Sequence, residues 1–349
     1  MRSKAIGVIV GLVALALAAA GCGGQAPAKP ADKPAEKNVS IGLLKLTSSA
    51  PVFIGIEKGF FKEEGVNLEV MWFDAAHPIV VATASNKVAV GATGITASLF
   101  NLVSGGQQLA IVADKGREQK GYSSSAIMVR TELWDKSVRT IEDLKGKRIG
   151  ITQAGSTFHY MTGRLLEAKG LSLADVEIVP LGSLGSLMAS LQSGQVDAVI
   201  LNEPNISKVV AAGYGKVVAQ VGDVIDYQTS ALFFSPEFLK DRAAAIAFLK
   251  GYIKATRYYY DAVLMLKDGR SAPGANYDEV VAIIAKYTGA PVADIKSGLP
   301  YMDRDGELLA KDIQTQIDWY AAHKMIDKPV KGEQVVNTAL WEEARKQVK

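Results

Sequence analysis

The stretch SIGLLKLTSSAPVFIGIEKGFFKEEGVNLEVMWF, residues 40–73, decides how the rest of the chain is read. Residues 40–46 are a short apolar strand candidate. Thr47, Ser48 and Ser49 follow, residue types whose side-chain oxygens cap helices. Pro51 suits a first helical turn, where its missing N–H would have had no partner. Residues 52–64 read as a helix that Gly65 stops. Residues 68–73 are apolar again and form the next strand. The unit is strand, helix, strand.

Outward from this stretch the alternation continues. Residues 75–86 are a helix, 88–93 a strand, the segment from Gly94 to about 103 a helix, and 109–113 a fourth strand. A second series opens with a strand at 123–130, then a short helix and turn at 141–147 and a strand at 148–152. Gly155, Ser156 and Thr157 start a helix ending near Gly170. Residues 176–181 are a strand, 183–193 a helix with Leu184, Leu187, Met188 and Leu191 on one face, and 197–201 and 217–221 further strands. The apolar stretch 229–234 precedes helices at 243–267, 277–287, 308–323 and 337–347. Alternating strands and helices imply parallel sheets covered on both faces. The helical C-terminal part has no sheet of its own, so it should pack back on the first lobe. The expected fold class is therefore α/β, with residues 38–132 and 228–349 as a discontinuous first lobe and 133–227 as the second.

The N-terminus addresses location. Residues 1–4 are short and basic, and 5–20 are apolar and uncharged. That run is shorter than the ~20 residues of a comfortable membrane span and fits a secretory signal over residues 1–21. It ends in Ala19-Ala20-Gly21-Cys22, which resembles a bacterial lipobox, with Leu17 upstream and Ala19 where leucine is usual. Lipidation of Cys22 is the expectation. Residues 23–37 are rich in Pro, Ala and Lys and hold no large apolar residue, as expected of an extended tether. The folded body would then work outside the cytoplasmic membrane, held near it by lipid.

The 349 residues are 48% hydrophobic and 21% charged, near the globular average of about 45–50% and 25%. That excludes a collagen-like rod and a polytopic membrane protein. A net charge of +3 gives no electrostatic reason to expect nucleic acid. Cys22 is the only cysteine, so a disulfide framework and a cysteine zinc cage are excluded. No metal or cofactor is expected, and a monomer is the default.

In open α/β sheets ligands bind beyond the carboxyl ends of the strands. Here those ends carry small hydroxyl, glycine and amide residues, which grip polar solutes. The same types also serve as caps and turns, so the aggregate carries the reading rather than any one residue. Gly155 and Ser156 open a helix, His159 lies in its first turn, and Glu203 follows a strand and could accept from a ligand N–H. Tyr258, Tyr259 and Tyr260 read as helix packing.

Three segments resemble a known family, the bacterial ABC-transporter solute-binding proteins of the nitrate, aliphatic sulfonate and taurine type, whose fold the thiamine-pyrimidine synthase proteins share. They are residues 51–66, beginning Pro51-Val52-Phe53; residues 137–151, containing Asp143-Leu144-Lys145-Gly146-Lys147; and Ser193-Gly194-Gln195-Val196-Asp197-Ala198. The resemblance implies a two-lobed periplasmic-binding-protein fold, type II-like, with two hinge crossovers, a helical C-terminus and a solute trapped between the lobes. It implies ligand contacts at Ser48, Ser49, Asp74, Gly94, Thr96, Ser156, Thr157 and Glu203, an ABC permease as partner, and no catalysis. Sulfonate-binding members often carry aromatic-Asp-Pro where this chain has Asn202-Glu203-Pro204. The ligand class therefore stays open between sulfonate, nitrate or taurine and a pyrimidine-like ring. Two other classes are weighed. A ligand-sensing partner of a signalling receptor would use the same closure. A pyrimidine-synthase-like enzyme would need a cysteine cluster that this chain lacks.

Overall fold

The computed structural model describes residues 36–267 and 270–349. The signal segment, Cys22 and nearly all of the expected tether lie outside the described residues. Lys37, placed in the tether by composition, already pairs with Val66 as the first residue of a strand.

In the first lobe, β1 (Lys37–Leu43) leads through α1 (Ala50–Glu57) and α2 (Phe60–Glu63) to β2 (Val66–Trp72), then α3 (Ala76–Ala84), β3 (Val90–Gly94), α4 (Ala97–Ser104) and β4 (Ala110–Glu118). The single helix expected over 52–64 is two helices. Gly59 breaks it at φ 76°, a left-handed turn that favours glycine. β4 runs five residues beyond the expected strand, through the polar run Asp114-Lys115-Gly116-Arg117-Glu118.

The chain then crosses to a second sheet with β5 (Ser125–Arg130). There follow α5 (Thr131–Lys136), β6 (Arg148–Ile151), α6 (Thr157–Glu167), β7 (Glu177–Pro180), α7 (Leu184–Ser193), β8 (Ala198–Asn202), α8 (Asn205–Ala211) and β9 (Gly215–Gln220). It returns as β10 (Tyr227–Phe234). The rest is α9 (Arg242–Val263), α10 (Tyr277–Thr288), α11 (Val292–Ser297), α12 (Ala310–Ala322), α13 (Gly332–Val335) and α14 (Ala339–Gln347).

The sheet orders are β2-β1-β3-β10-β4 and β7-β6-β8-β5-β9. In each, one strand is antiparallel to both neighbours, and it is the strand that has just arrived from the other lobe: β10 between β3 and β4, β5 between β8 and β9. The lobes thus exchange a strand through two crossings. β5 belongs to the second sheet, so the first crossing falls between Glu118 and Ser125 and not at residue 132 as expected. The reason is cross-lobe pairing: Ser125 to Val129 face Asn202 to Ala198, a register that nothing near residue 130 encodes.

Apolar residues from β1, β3 and β10 pack under α1, α9, α10 and α14 in one core. Along α9, Ala245, Phe248, Leu249, Tyr252, Ile253, Thr256, Tyr259 and Val263 recur at helical spacing, and all are buried. The Asp241 carboxylate caps that helix by accepting from the Ala244 N–H at 3.1 Å. The second core holds most of lobe two, but it also takes in Phe100 and Ile111 of lobe one and Trp319 and Tyr320 of α12. α12 therefore packs on both lobes, against α4 and against α6. The Trp319 indole sits over Gly163 of α6 and donates to Glu167 at 2.8 Å. The Tyr320 hydroxyl reaches the carbonyls of Ile95 at 3.4 Å and Ser156 at 3.2 Å, one in each lobe. No helix among the described residues is long and apolar enough to cross a membrane.

Candidate functional site

The carboxyl ends of the parallel strands of the two sheets face one another. Lobe-to-lobe hydrogen bonds close the gap. The Ala97 N–H donates to the Gly155 carbonyl at 2.9 Å, the Thr47 N–H to the Glu203 carbonyl at 3.2 Å, and the Leu184 N–H to the Asp74 carbonyl at 3.4 Å. Between them lies a cavity of about 590 Å³, its open mouth included. Lobe one lines it with Leu44, Leu46, Ser48, Thr93, Gly94 and Lys115. The returning β10 adds Thr229 and Ser230. Ser124, Thr152, Thr157, Phe158, Leu184 and Asn202 line it from the crossing and lobe two. The wall is mixed, half hydroxyl and amide, half apolar, as a small-molecule site requires.

Lys115 is the one charged side chain in that wall, and it is 1% exposed. Its ammonium donates to the Ser48 carbonyl and the Ser48 hydroxyl, both at 3.1 Å. Burial pulls its pKa down to about 7, partly opposed by the neighbouring Asp114. Asp114 is itself buried, which pushes its carboxyl up against the pull of Arg117. It accepts from the N–H groups of Gly116 at 2.8 Å and Asp303 at 2.7 Å, and from the Gln228 amide. These bonds hold the polar end of β4 between β10 and the segment around residues 301–306, whose carbonyls accept from Asp114 and Arg117 N–H.

A model of the NMT1-like family matches residues 32–265, more than half of the chain. The chain belongs to the NMT1-like family. This NMT1-like chain is also 24% identical, over 91% of its own length and 79% of the relative's, to the nitrate/nitrite binding protein NrtA of Synechococcus elongatus. Its fold is similar to that of the alkanesulfonate-binding protein SsuA of Xanthomonas axonopodis pv. citri, solved bound to MOPS (TM-score 0.71, 20% identity, 87% of this chain and 99% of that one). It is equally similar to that of the periplasmic nitrate-binding protein NrtA of Synechocystis (TM-score 0.72, 16% identity, 90% and 89%). The periplasmic-binding-protein fold expected from the sequence is the fold observed, and these named relatives are binding proteins.

Within this NMT1-like fold the expected contact residues divide. Ser48, Gly94 and Thr157 line the cavity. The others lie beside it. The Ser49 hydroxyl donates to the Leu44 carbonyl at 3.0 Å and shapes the turn after β1. The Asp74 side chain is exposed, and only its carbonyl reaches the other lobe. Thr96 precedes α4, and its hydroxyl pairs with that of Ser98 at 2.8 Å. Gly155, at φ 71°, makes the turn before α6, and a Cβ there would lie 2.8 Å from the Ala97 Cβ across the cleft. The Ser156 hydroxyl caps α6 by accepting from the His159 N–H at 3.2 Å. The His159 Nδ1 in turn accepts from the Gly155 N–H at 3.2 Å, and burial lowers that ring to about 4, with His323 adding to the effect.

Glu203 is buried, and its carboxylate accepts from the N–H and the hydroxyl of Ser207, both at 3.1 Å. Gly298 presses against it so closely that a Cβ there would overlap the Glu203 side chain. Burial pushes its pKa up. Its neighbour Asn202 is the residue in the cavity wall, and the Asn202 amide donates to the Ser125 hydroxyl at 2.6 Å. Lys115 lies just past the fourth expected strand, at one of the carboxyl ends where a ligand is expected, so its place at the cleft is legible. Thr229 and Ser230 open a stretch that reads simply as an apolar strand and give no signal of their own.

Proposed function

We propose that this protein is an extracytoplasmic solute-binding protein of an ABC importer. It captures a small solute between its lobes and presents the closed form to a permease. The carrying observation is the cavity itself: both sheets contribute their strand ends to it, and lobe-to-lobe hydrogen bonds seal it. A solute that touches both walls stabilises the closed arrangement, because its contacts exist only there. Membership of the NMT1-like family and the named binding-protein relatives support this reading. No catalytic role is assigned. The protein acts as a monomer, held to the outer face of the cytoplasmic membrane through a lipid on Cys22, after removal of residues 1–21.

The test is native mass spectrometry of the full-length protein purified without denaturation. A released small-molecule mass, absent after unfolding and dialysis, supports capture. Binding that leaves small-angle scattering unchanged contradicts closure. Anchoring has its own test: Cys22→Ala should move the protein from the membrane fraction to the soluble one, and a variant still in the membrane fraction rejects the lipid.

A further inference from the structure

Lys115 is a buried cation with an unspent donor. An ammonium has three N–H groups, and two are directed at Ser48. Among the described residues it forms no ion pair, and the adjacent Asp114 is occupied by Gly116, Gln228 and Asp303. A buried charge without a counter-charge is costly. Three more donors stand in the same wall. The hydroxyls of Thr93, Thr229 and Ser230 are buried and have no hydrogen-bond partner, and these residues are 1%, 9% and 5% exposed. Buried hydroxyls are nearly always paired, so three orphans in one cavity wall with a free ammonium N–H point to a missing acceptor. The backbone keeps the place clear. Ser230 sits in register with Gly94 on one side and Gly116 on the other, and a Cβ on Gly116 would stand 3.4 Å from the Ser230 hydroxyl. The rest of the wall is apolar at Leu44, Leu46, Phe158 and Leu184, and no carboxylate lines the cavity.

We propose that Lys115, Thr93 and Ser230 form a subsite for one oxyanion group, and that the solute is an organic monoanion whose apolar body lies against Leu44, Leu46, Phe158 and Leu184. This rests on the reading of the cleft as the solute site. A cation finds no counter-charge in the wall, a dianion finds only one, and an inorganic anion leaves the apolar half unfilled. Carboxylate and sulfonate heads share the needed chemistry, and matched probes separate them.

Calorimetry on the full-length protein, freed of co-purified solute, would compare pentanoate, butanesulfonate, butylammonium, succinate and uracil. One or both monoanions should bind, with butylammonium and succinate weaker by about tenfold or more, a difference of ~1.4 kcal/mol. Lys115→Met should lose about tenfold or more for the bound monoanion. Ser230→Ala and Thr93→Val, which keep the packing, should each lose several-fold and serve if Lys115→Met does not fold. Monoanions that fail to bind at millimolar concentration, or that bind all three variants as they bind the wild type, overturn the subsite. Tight uracil binding with blank monoanions overturns it while leaving the cleft as the solute site. A bound probe indifferent to Gly94→Ala, which obstructs closure, removes the cleft reading itself.

Discussion

Gly94 and Thr157 meet across the cleft from opposite lobes, which makes Gly94→Ala a probe of closure. A Cβ at position 94 would lie 2.6 Å from the Thr157 Cγ2 and 3.1 Å from its Oγ1. Carbon atoms in contact prefer about 3.5–4.0 Å, so the lobes must part by roughly 1 Å at this point. The parting also stretches the nearby Ala97–Gly155 hydrogen bond, now 2.9 Å. Overpacking of this kind costs about 1–3 kcal/mol. The cost falls on the closed state alone, because Thr157 leaves with its lobe when the cleft opens. At ~1.4 kcal/mol per tenfold, ligand affinity should fall by about 5- to 150-fold. Fold stability should hold or rise by about 0.5 kcal/mol, since alanine replaces glycine inside a strand. Titration calorimetry with the bound solute reads the first effect and urea unfolding the second. Thr157→Ser removes the Cγ2 methyl and should restore much of the lost affinity in the double variant, which separates a lobe–lobe clash from simple occlusion of the ligand. Gly185→Ala, where a new Cβ meets only the Ser183 hydroxyl at 3.9 Å, should change nothing. Wild-type affinity in Gly94→Ala would refute the assignment of this closed arrangement to the liganded state.

Three further outcomes follow from the packing and the buried titrating groups. Trp319→Ala removes an indole seated on Gly163, in edge contact with Tyr160 at 5.0 Å and bonded to Glu167. It should cost about 3–5 kcal/mol in urea unfolding, and a loss below about 1 kcal/mol would mean that α12 does not hold lobe two. Burial sets Lys115 at about 7, with Asp114 opposing, while an unfolded lysine titrates near 10.4. Between those values the unfolded chain binds more protons, so the Lys115 contribution to stability rises with pH from about 7 toward 10. Lys115→Met should flatten that rise, and an unchanged stability–pH profile would place the amine in water. A bound monoanion needs the charged amine, so its affinity should fall as pH climbs above neutral. His159, held near 4 mainly by burial, works in the opposite range. The unfolded imidazole takes its proton near 6.5, so melting temperature should drop from about pH 6.5 toward 4, and His159→Asn should blunt that drop.

The doubly covered sheets were legible because the signals are local. Ser and Thr before a helix, Pro at its first turn and Gly after its last act within a few residues, and the capping hydrogen bonds of Ser156 and Ser183 lie where such residues put them. The far half of β4 was not legible. Asp-Lys-Gly-Arg-Glu reads as loop because it has no apolar residue to mark a strand, and Gln228 and Asp303, the partners that hold Asp114, are more than a hundred residues away. The first crossing was misplaced for the same reason.

Glu203 and Asn202 show a finer limit. Asn202 ends β8 and Glu203 follows it, and both carry groups able to bind a polar solute. Successive residues along a strand turn to different sides, and of these two only Asn202 lines the cavity. Asn202 stands opposite Ser125 and bonds to it at the cavity wall. Glu203 turns the other way to accept from Ser207 under Gly298. Its role in closure passes through its carbonyl, which accepts from the Thr47 N–H across the gap. Shortening the side chain would leave that bond in place and empty a pocket under α8 instead. Glu203→Gln, which keeps both the volume and an acceptor for Ser207, should therefore alter neither ligand affinity nor closure. A marked loss of affinity in that variant, with unfolding unchanged, would put the Glu203 carboxylate back in contact with the solute.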